Sequence, residues 1–442
     1  MIFNLDYLVD NFVILASIQY ICFSEMCMYV TGRNKIATCI NNVINRCIKK
    51  NILFVKIFQS MTSNKYLPTE IVDIFKQNTH SVRYDVSELN IQKLEYILKK
   101  YNITLSDPVE KPFHSGMVSI AYLGTMNDNT KVVIKMKRNQ IKQRIESGSA
   151  NVTFIYNMLY LLSSFIPKIQ SNLDSFKSIT KTTDYLISQC DFEKEIMAIR
   201  TSTDEMKKYS VCDNIIIPKV YNTTDDDGHH DDVKNTDFII LEYLEGKFPT
   251  EITEPKELTQ YLKLLVTFIT IQIWFFSYYH TDLHTGNIIC IKDNDGNSKL
   301  GIIDFGMNIN LTKDIKKSLL IFSETIYTNK DINNVKLSKH INWFLSNPID
   351  LSILNDKEKS EIDSIILNMI IAMQQGRLEE HIIYKGFEDI SNICNKQLVL
   401  NMESVLILIS ISMSQSSCFI LANNDLKNVE ETFEKVYFEI ME

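Results

Sequence analysis

Apolar residues run along this chain in three textures, and each predicts a different kind of element. Over residues 12–23 (FVILASIQYICF), extendable to Val30, they are almost continuous. A spanning helix needs about 20 predominantly apolar residues. Asp10, Gln19 and Glu25 flank or interrupt this run, so it predicts a helix docked on the rest of the protein, with membrane contact as the other reading. The opening MIFNLD puts an acid where a secretory signal carries basic residues, which argues against such a signal. Over residues 34–60, Ile36, Cys39, Ile40, Val43, Ile44, Cys47 and Ile48 recur at helical spacing and predict one long helix. The pattern breaks at 64–68, resumes over 70–75, and predicts a third helix over 87–101.

From Pro112 the texture becomes that of strands. Residues 117–123 and 131–136 are short β-type runs separated by the turn cluster Asn127-Asp-Asn-Thr130, which predicts a hairpin. Residues 215–221 and 238–246 read as two further strands joined by an acidic loop over 223–237. His229 and His230 in that loop read as solvated rather than as a metal site. A long apolar helix follows over 257–279. Residues 365–373 and 399–421 are again apolar at helical spacing. The second run is long, but Asn401, Glu403 and the serines 404, 410, 412, 414, 416 and 417 predict a packed core helix over a span. No Gly/Ser-rich linker parts the first hundred residues from the strands, so they are expected to pack together.

Composition narrows the function classes. A chain of 442 residues buries a sizeable core, and 45% hydrophobic with 23% charged residues is ordinary for a soluble protein. A net charge of −8 without a long basic run excludes nucleic acid as the natural partner. The nine cysteines are scattered, with no C-x-x-C pair, and read as reduced thiols in a cytosol-like compartment.

The chemistry concentrates in one stretch. His280-Thr-Asp-Leu-His-Thr-Gly-Asn287 followed by Ile303-Asp-Phe-Gly306 reads as H-x-D-L-x-x-x-N and D-F-G, the catalytic loop and metal-binding turn of kinase-like phosphoryl transfer. Such transfer asks mainly for positioning and charge neutralisation. Asp282 would face the attacking hydroxyl or water, and Asn287 and Asp304 would hold Mg²⁺ against the phosphates of ATP. Upstream, Lys135 ends V-V-I-K and would pair with the α- and β-phosphates. Glu195, chosen over Glu193, would steady it from a helix over 189–200. Backbone groups of Glu242 to Leu244 would bind adenine. No G-x-G-x-x-G precedes Lys135, only Gly116 and Gly124. No A-P-E follows the D-F-G, and sequence from 314 to 327 is already helical. The usual platform for a protein substrate is missing.

These residues and departures together resemble the UbiB/AarF family of atypical kinase-like proteins, over roughly residues 50–310. Its K-x-G-Q signature is approached by Lys56-Ile-Phe-Gln59, with Leu67-Pro68 following, and its Ala-rich loop by His114-Ser-Gly-Met117. Its E-x-D helix is approached by Gln189-Cys-Asp191 with Glu195, and its H-x-D-x-H-x-G-N loop by residues 280–287, where His284 and Gly286 are the most diagnostic positions. The resemblance implies an α+β, bilobal protein-kinase-like fold with a small β-containing N-lobe (111–247), a helical C-lobe (248–442) and an N-terminal helical extension (1–110) lying over the active site. It implies ATP and Mg²⁺ as ligands, with Lys56, Gln59 and Asp191 near the nucleotide. It also implies a lipid or quinone-like partner and peripheral membrane contact of an otherwise cytoplasmic chain. Three departures bear on this. Phe58 replaces the signature Gly and should alter how closely the extension approaches the site, Gln189 removes a charge, and Gly116 brings the loop nearer an ordinary Gly-rich loop. Two function classes follow: a Mg²⁺-dependent ATPase or atypical kinase, or a nucleotide-binding pseudokinase acting as a scaffold.

Overall fold

The computed structural model describes residues 5–61, 68–80, 82–163, 183, 186–221, 237–313, 315–317, 337–375, 378, 380–396 and 398–441. The chain forms two compact units, one from residues 1–192 with 224–242, the other from 193–223 with 243–442. The His229/His230 loop lies outside the described residues, and of the helix read over 314–327 only 315–317 are described.

The first unit opens with α1 (Leu5–Val30), α2 (Ile36–Lys50), α3 (Phe54–Met61) and α4 (Thr69–His80). The single helix expected over 34–60 is two, because the chain breaks at Asn51. There the backbone is extended at φ −149° and ψ 114°. The Asn51 Oδ1 accepts from the Leu53 amide at 3.0 Å, and its Nδ2 donates to the Gly148 carbonyl at 2.9 Å. A side chain that takes a local amide competes with the helix for it. The break turns α3 so that Phe54, Val55, Ile57 and Phe58 are buried with Ile44, Cys47 and Ile48 in one apolar cluster. Met117, Val118, Ile141 and Ile145 belong to the same cluster. The N-terminal helices and the strand-bearing segment therefore share a core, as the absence of a linker predicts.

The helix expected over 87–101 begins later, as α5 (Ile91–Tyr101), where Asn90 accepts from the Lys93 amide as an N-cap. Then come β1 (Ile103–Leu105), β2 (His114–Ser115), β3 (Ser119–Met126), β4 (Lys131–Lys137) and α6 (Ile141–Ser163). The hairpin is present, with Ala121 opposite Lys135 and Asn129 at φ 66° in its turn. Val132, Ile134 and Met136 point to the buried face of β4, so the period of two leaves Lys135 on the other, half-buried face.

In the second unit are α7 (Phe192–Met206, apart from its first residue) and β5 (Ile215–Ile216). The strand β6 (Phe238–Glu242) returns to the first unit and completes an antiparallel sheet of order β1-β3-β4-β6 with β2 on β3. The two strands expected over 215–221 and 238–246 thus do not pair with each other. The second unit continues with α8 (Pro255–Trp274), β7 (Tyr278–His280), β8 (Ile288–Lys292), β9 (Ser298–Ile302) and β10 (Asn308–Asn310). Here β5 runs parallel to β9, β8 pairs with β9, and β7 pairs with β10. The apolar run 257–279 stops being helical at Trp274. Two residues past the C-cap, the Ser277 amide and hydroxyl are taken by the Glu205 carboxylate, at 3.0 and 2.6 Å to Oε1, and the chain leaves as β7. Four helices close the unit: α9 (Asp356–Gln374), α10 (Glu380–Ile393), α11 (Met402–Leu421) and α12 (Leu426–Met441). The helix α11 is a core helix, with Ser404, Ser410, Ser412, Ser414 and Ser417 all buried.

Replacing Asn51 by Ala removes, in the buried core, the acceptor of the Leu53 amide and the side-chain donor to the Gly148 carbonyl. We expect Asn51→Ala to lower unfolding free energy by about 1–3 kcal/mol, read as a lower urea midpoint with an unchanged slope.

Candidate active site

The stretch from His280 to Asn287 leaves β7 at His280 and runs half-buried through the second unit, with side chains pairing its backbone where the strand ladder ends. The Gln272 Oε1, at the end of α8, accepts from the His280 amide at 2.7 Å. The His280 ring is buried. Its Nδ1 accepts from the Asp282 amide at 3.2 Å, so Nε2 carries the proton and donates to the Ile303 carbonyl, also at 3.2 Å. Burial lowers the His280 pKa and outweighs the neighbouring Asp282, which keeps the ring neutral in that tautomer. The ring meets Phe305 edge-on, with centroids 4.8 Å apart. One histidine therefore ties this loop to the D-F-G turn.

Asp282 and Asn287 are brought together. Asn287 is buried, and its Nδ2 donates to the Asp282 carbonyl at 2.9 Å and to its carboxylate Oδ2 at 3.3 Å. The amide nitrogen is thereby committed, which turns the carbonyl oxygen the opposite way, where it could serve as a neutral ligand. His284 caps the short turn 285–287 through Nδ1, which accepts from the Gly286 amide at 3.0 Å. Its Nε2 lies 3.7 Å from the Asp282 Oδ2. The diagnostic second histidine thus stands beside the carboxylate expected to face the acceptor.

Asp304 is held at φ 59°, a left-handed conformation few non-glycine residues adopt. Its Oδ1 accepts from the Gly306 amide at 3.3 Å. A Cβ added to Gly306 would sit 3.1 Å from the Asp304 Oδ1 and 3.3 Å from the Glu195 Oε2. Glu195, on α7, is 1% exposed, so two carboxylates converge on the side of Gly306. Among the described residues no three His, Cys, Asp or Glu side chains form a metal cage. Mg²⁺ does not need one, since it is commonly held by one or two carboxylates together with water and phosphate oxygens. The Asn287 carbonyl and the Asp304 carboxylate suit that demand.

The remaining residues divide between the two units. In the first, Lys135 stands on β4 with its Nζ 5.7 Å from the centre of the Phe192 ring, and Asp191 precedes that ring. Glu242 ends β6 opposite Val132. Lys56 is half-buried on α3, which also carries Gln59. Phe58 stacks on Phe75 at 5.4 Å and 11°, inside the helical core. Its ring therefore packs inward, among the helices of its own unit. Gly116, between β2 and β3, has no left-handed φ, and an added Cβ would meet only the Ser119 carbonyl at 3.4 Å. Leu244, in the second unit, packs against Gly301.

Comparison with known proteins gives this geometry a family. The ABC1 atypical kinase-like domain matches residues 99–338, more than half of the 442. The chain belongs to that family. Its fold is accordingly protein-kinase-like, mixed α and β, preceded by N-terminal helices. A probable protein kinase UbiB from Glaesserella parasuis is 24% identical over 255 residues, 53% of this chain and 42% of that protein. One from Aliivibrio fischeri is 22% identical over 214 residues, 47% of this chain and 36% of that protein. The chain spans about two fifths of the length of these curated relatives. Among solved structures, Rv3197 of Mycobacterium tuberculosis in its erythromycin complex is similar at a TM-score of 0.43 and 15% identity, covering 78% of this chain and 84% of that one. The Rio2 kinase of Chaetomium thermophilum in its ADP/Mg²⁺-phosphoaspartate complex is similar at 0.30 and 9%, covering 88% and 95%.

Beyond the matched residues 99–338, sequence reasoning missed the side chains that hold the loop from behind. The Ser410 hydroxyl donates to the His280 carbonyl at 3.3 Å and the Ser417 hydroxyl to the Leu283 carbonyl at 2.8 Å. Both lie on α11, and their seven-residue spacing on an apolar helix puts them on one face. Buried hydroxyls need acceptors, so that spacing is the signal that pointed here. We expect the double variant Ser410→Ala/Ser417→Ala to cost about 1–3 kcal/mol for the carbonyls it leaves unpaired. Amides 280–288 should exchange hydrogen faster than those of α8.

Proposed function

We propose that the chain is a Mg²⁺-dependent ATPase or atypical kinase of the ABC1/UbiB type, transferring the γ-phosphoryl of ATP to water or to a small-molecule, lipid-linked or protein acceptor. The observation that carries this reading is the assembly of Asp282, Asn287, Asp304 and Glu195 within one unit, on a loop buttressed by Gln272, Ser410 and Ser417. A nucleotide-binding scaffold needs no carboxylate posed by an amide and flanked by an imidazole, which is how Asp282 is set.

The roles follow from chemistry. Asp282 takes up the proton of the attacking hydroxyl or orients water, and Asn287 holds that carboxylate in place through its Nδ2. Asn287, through its carbonyl, and Asp304 would hold Mg²⁺. When bound, the ion neutralises the charge on the phosphate oxygens. Lys135 is the cation assigned to the α- and β-phosphates, Glu195 its steadying acid, and the backbone from Glu242 to Leu244 the adenine contact. Gly116, Lys56, Gln59 and Asp191 are assigned to the nucleotide's surroundings. These assignments rest on sequence position. Asp304→Asn is expected to lower ATP turnover by roughly 100-fold or more with an unchanged melting temperature. Equal turnover would leave the scaffold reading in its place.

We further propose that α1 contacts a bilayer as a peripheral surface, with the acceptor drawn from lipid or quinone-like molecules. Its inward face holds Ile21 and Glu25, the latter paired with Arg46 at 3.2 Å and with Asn42 at 3.1 Å. Its outward face shows Val13, Tyr20, Phe23, Met26 and Val30, all more than half exposed. Only 11% of the apolar window 13–30 is buried, and Arg33 and Lys35 follow it to meet anionic headgroups. Phe23→Asp is expected to reduce co-sedimentation with anionic phosphatidylserine vesicles several-fold. It should also abolish any stimulation of ATP turnover by those vesicles.

A further inference from the structure

Arg138 lies three residues beyond Lys135 and is, with 2% exposure, among the most deeply buried large side chains of the protein. Its planar guanidinium has five N–H donors, and each has an acceptor. Nε donates to the Gly116 carbonyl at 2.9 Å. One Nη2 hydrogen goes to the Ser115 hydroxyl at 2.7 Å and the other to the Val82 carbonyl at 3.0 Å. Nη1 reaches the Arg83 carbonyl at 3.3 Å and the Glu88 carboxylate. Glu88 Oε2 also accepts from Arg144 at 2.6 Å. Burial pushes the Glu88 carboxyl up, yet the hydrogen bonds and charges of Arg144 and Arg138 prevail and hold it below the ordinary glutamate value. Glu88 therefore stays ionised opposite two guanidinium groups.

The acceptors form two sets. Ser115 ends β2 and Gly116 opens the turn to β3, while Val82, Arg83 and Glu88 belong to the segment that follows α4. The backbone joins the same sets, since the Val82 amide donates to the Ser115 carbonyl at 2.8 Å and the Ser115 hydroxyl to the Val82 carbonyl at 2.7 Å. One guanidinium thus locks the turn against residues 82–88. Because the Gly116 carbonyl is drawn toward Arg138, the planar peptide aims the Met117 amide the opposite way. Among the described residues neither the Met117 nor the Val118 amide meets an acceptor, although the Val118 carbonyl accepts from the Arg138 amide at 2.9 Å. Successive unpartnered amides in a turn suit an anion.

From this geometry we infer that Arg138 is a positioning residue for phosphate binding, which holds the turn so that the amides of Met117 and Val118 face a nucleotide's phosphates. The inference rests on the nucleotide-binding reading above and gives residues 82–88 of the N-terminal segment a task, as the anvil against which the turn is fixed. Lysine keeps the charge but not the five-donor fork. Ser115→Ala keeps the arginine and its bond to the Gly116 carbonyl but removes its bond to the Ser115 hydroxyl and that hydroxyl's bond to Val82, which loosens the turn.

The test compares the affinities of wild type, Arg138→Lys and Ser115→Ala for ATP and for adenosine, with melting curves as the check on folding. Both variants should bind ATP about ten-fold more weakly, the size of one or two lost hydrogen bonds, and adenosine as the wild type does. Equal weakening of both ligands, or unchanged affinity for both, overturns the inference, because a purely structural role does not select for phosphate. Should Arg138→Lys fail to fold, Ser115→Ala decides alone. A wild type that binds neither ligand removes the nucleotide-binding reading itself. A wild type that binds ATP alongside variants with an unchanged ATP-to-adenosine ratio removes only the role of Arg138.

Discussion

Backbone amides and carbonyls that turn into a protein interior away from a strand ladder have to find partners there. The stretch from His280 to Asn287 meets this constraint with side chains borrowed from three helical or loop segments. Gln272 takes the first amide, the His280 ring takes the Asp282 amide, Asn287 takes the Asp282 carbonyl, and Ser410 and Ser417 take the carbonyls of His280 and Leu283. Each is a side chain whose polar end has few other uses in an apolar interior. The end of α8, the face of α11 and the strands β7 and β10 are therefore parts of one arrangement. An error in any of them leaves a buried polar group unpaired.

The D-F-G turn obeys the same rule under strain. Asp304 at φ 59° costs about 1–2 kcal/mol relative to ordinary backbone, and its neighbours prevent relaxation. The Ile303 amide donates to the Asn287 carbonyl at 3.0 Å, the Ile303 carbonyl accepts from His280, and Asn308 enters the β7–β10 pairing opposite His280. The carboxylate that results is placed by backbone rather than by a chosen rotamer alone. It converges with the buried Glu195 on the one residue of the turn with no side chain. A Cβ at Gly306 would press on both carboxylates, which would have to give by a few tenths of an ångström, so the glycine is favoured by close approach and not by its φ.

How much of this was legible in the sequence depended on whether the signal was local. The hairpin from 119 to 137, the core character of α11 and the family itself could be read from alternation, spacing and motif order. The spacing of Asp282, Asn287 and Asp304 also suffices to bring them together, because a short loop and the β8–β9 hairpin are all that separate them. What could not be read was long-range. Asn51 breaks the helix by reaching Gly148, 97 residues on, and Ser277 turns the chain with a carboxylate 72 residues back. In each case a helical period continued past the point where a distant polar partner ended the helix. The partners of the strands at 215–216 and 238–242 were illegible for a related reason: the runs themselves read as strands, but nothing local says that the first pairs with β9 and the second with β4.

The N-terminal helices show how a departure from a family pattern is absorbed. Where the K-x-G-Q signature has glycine, Phe58 carries a ring, and on an α-helix a residue two positions from Lys56 points about 200° away from it. The ring accordingly leaves the Lys56 face and stacks on Phe75 in the shared apolar cluster. Its bulk is spent on holding α3 to α4 rather than on filling the space a glycine leaves open. The same cluster contains Met117 and Val118, the two residues whose amides follow the turn locked by Arg138. A ring added on α3 and a guanidinium at the end of β4 thus act on one body. The extension supports the turn from below through apolar contact and from the side through hydrogen bonds, so stability of the helices and placement of the turn are a single property of this unit.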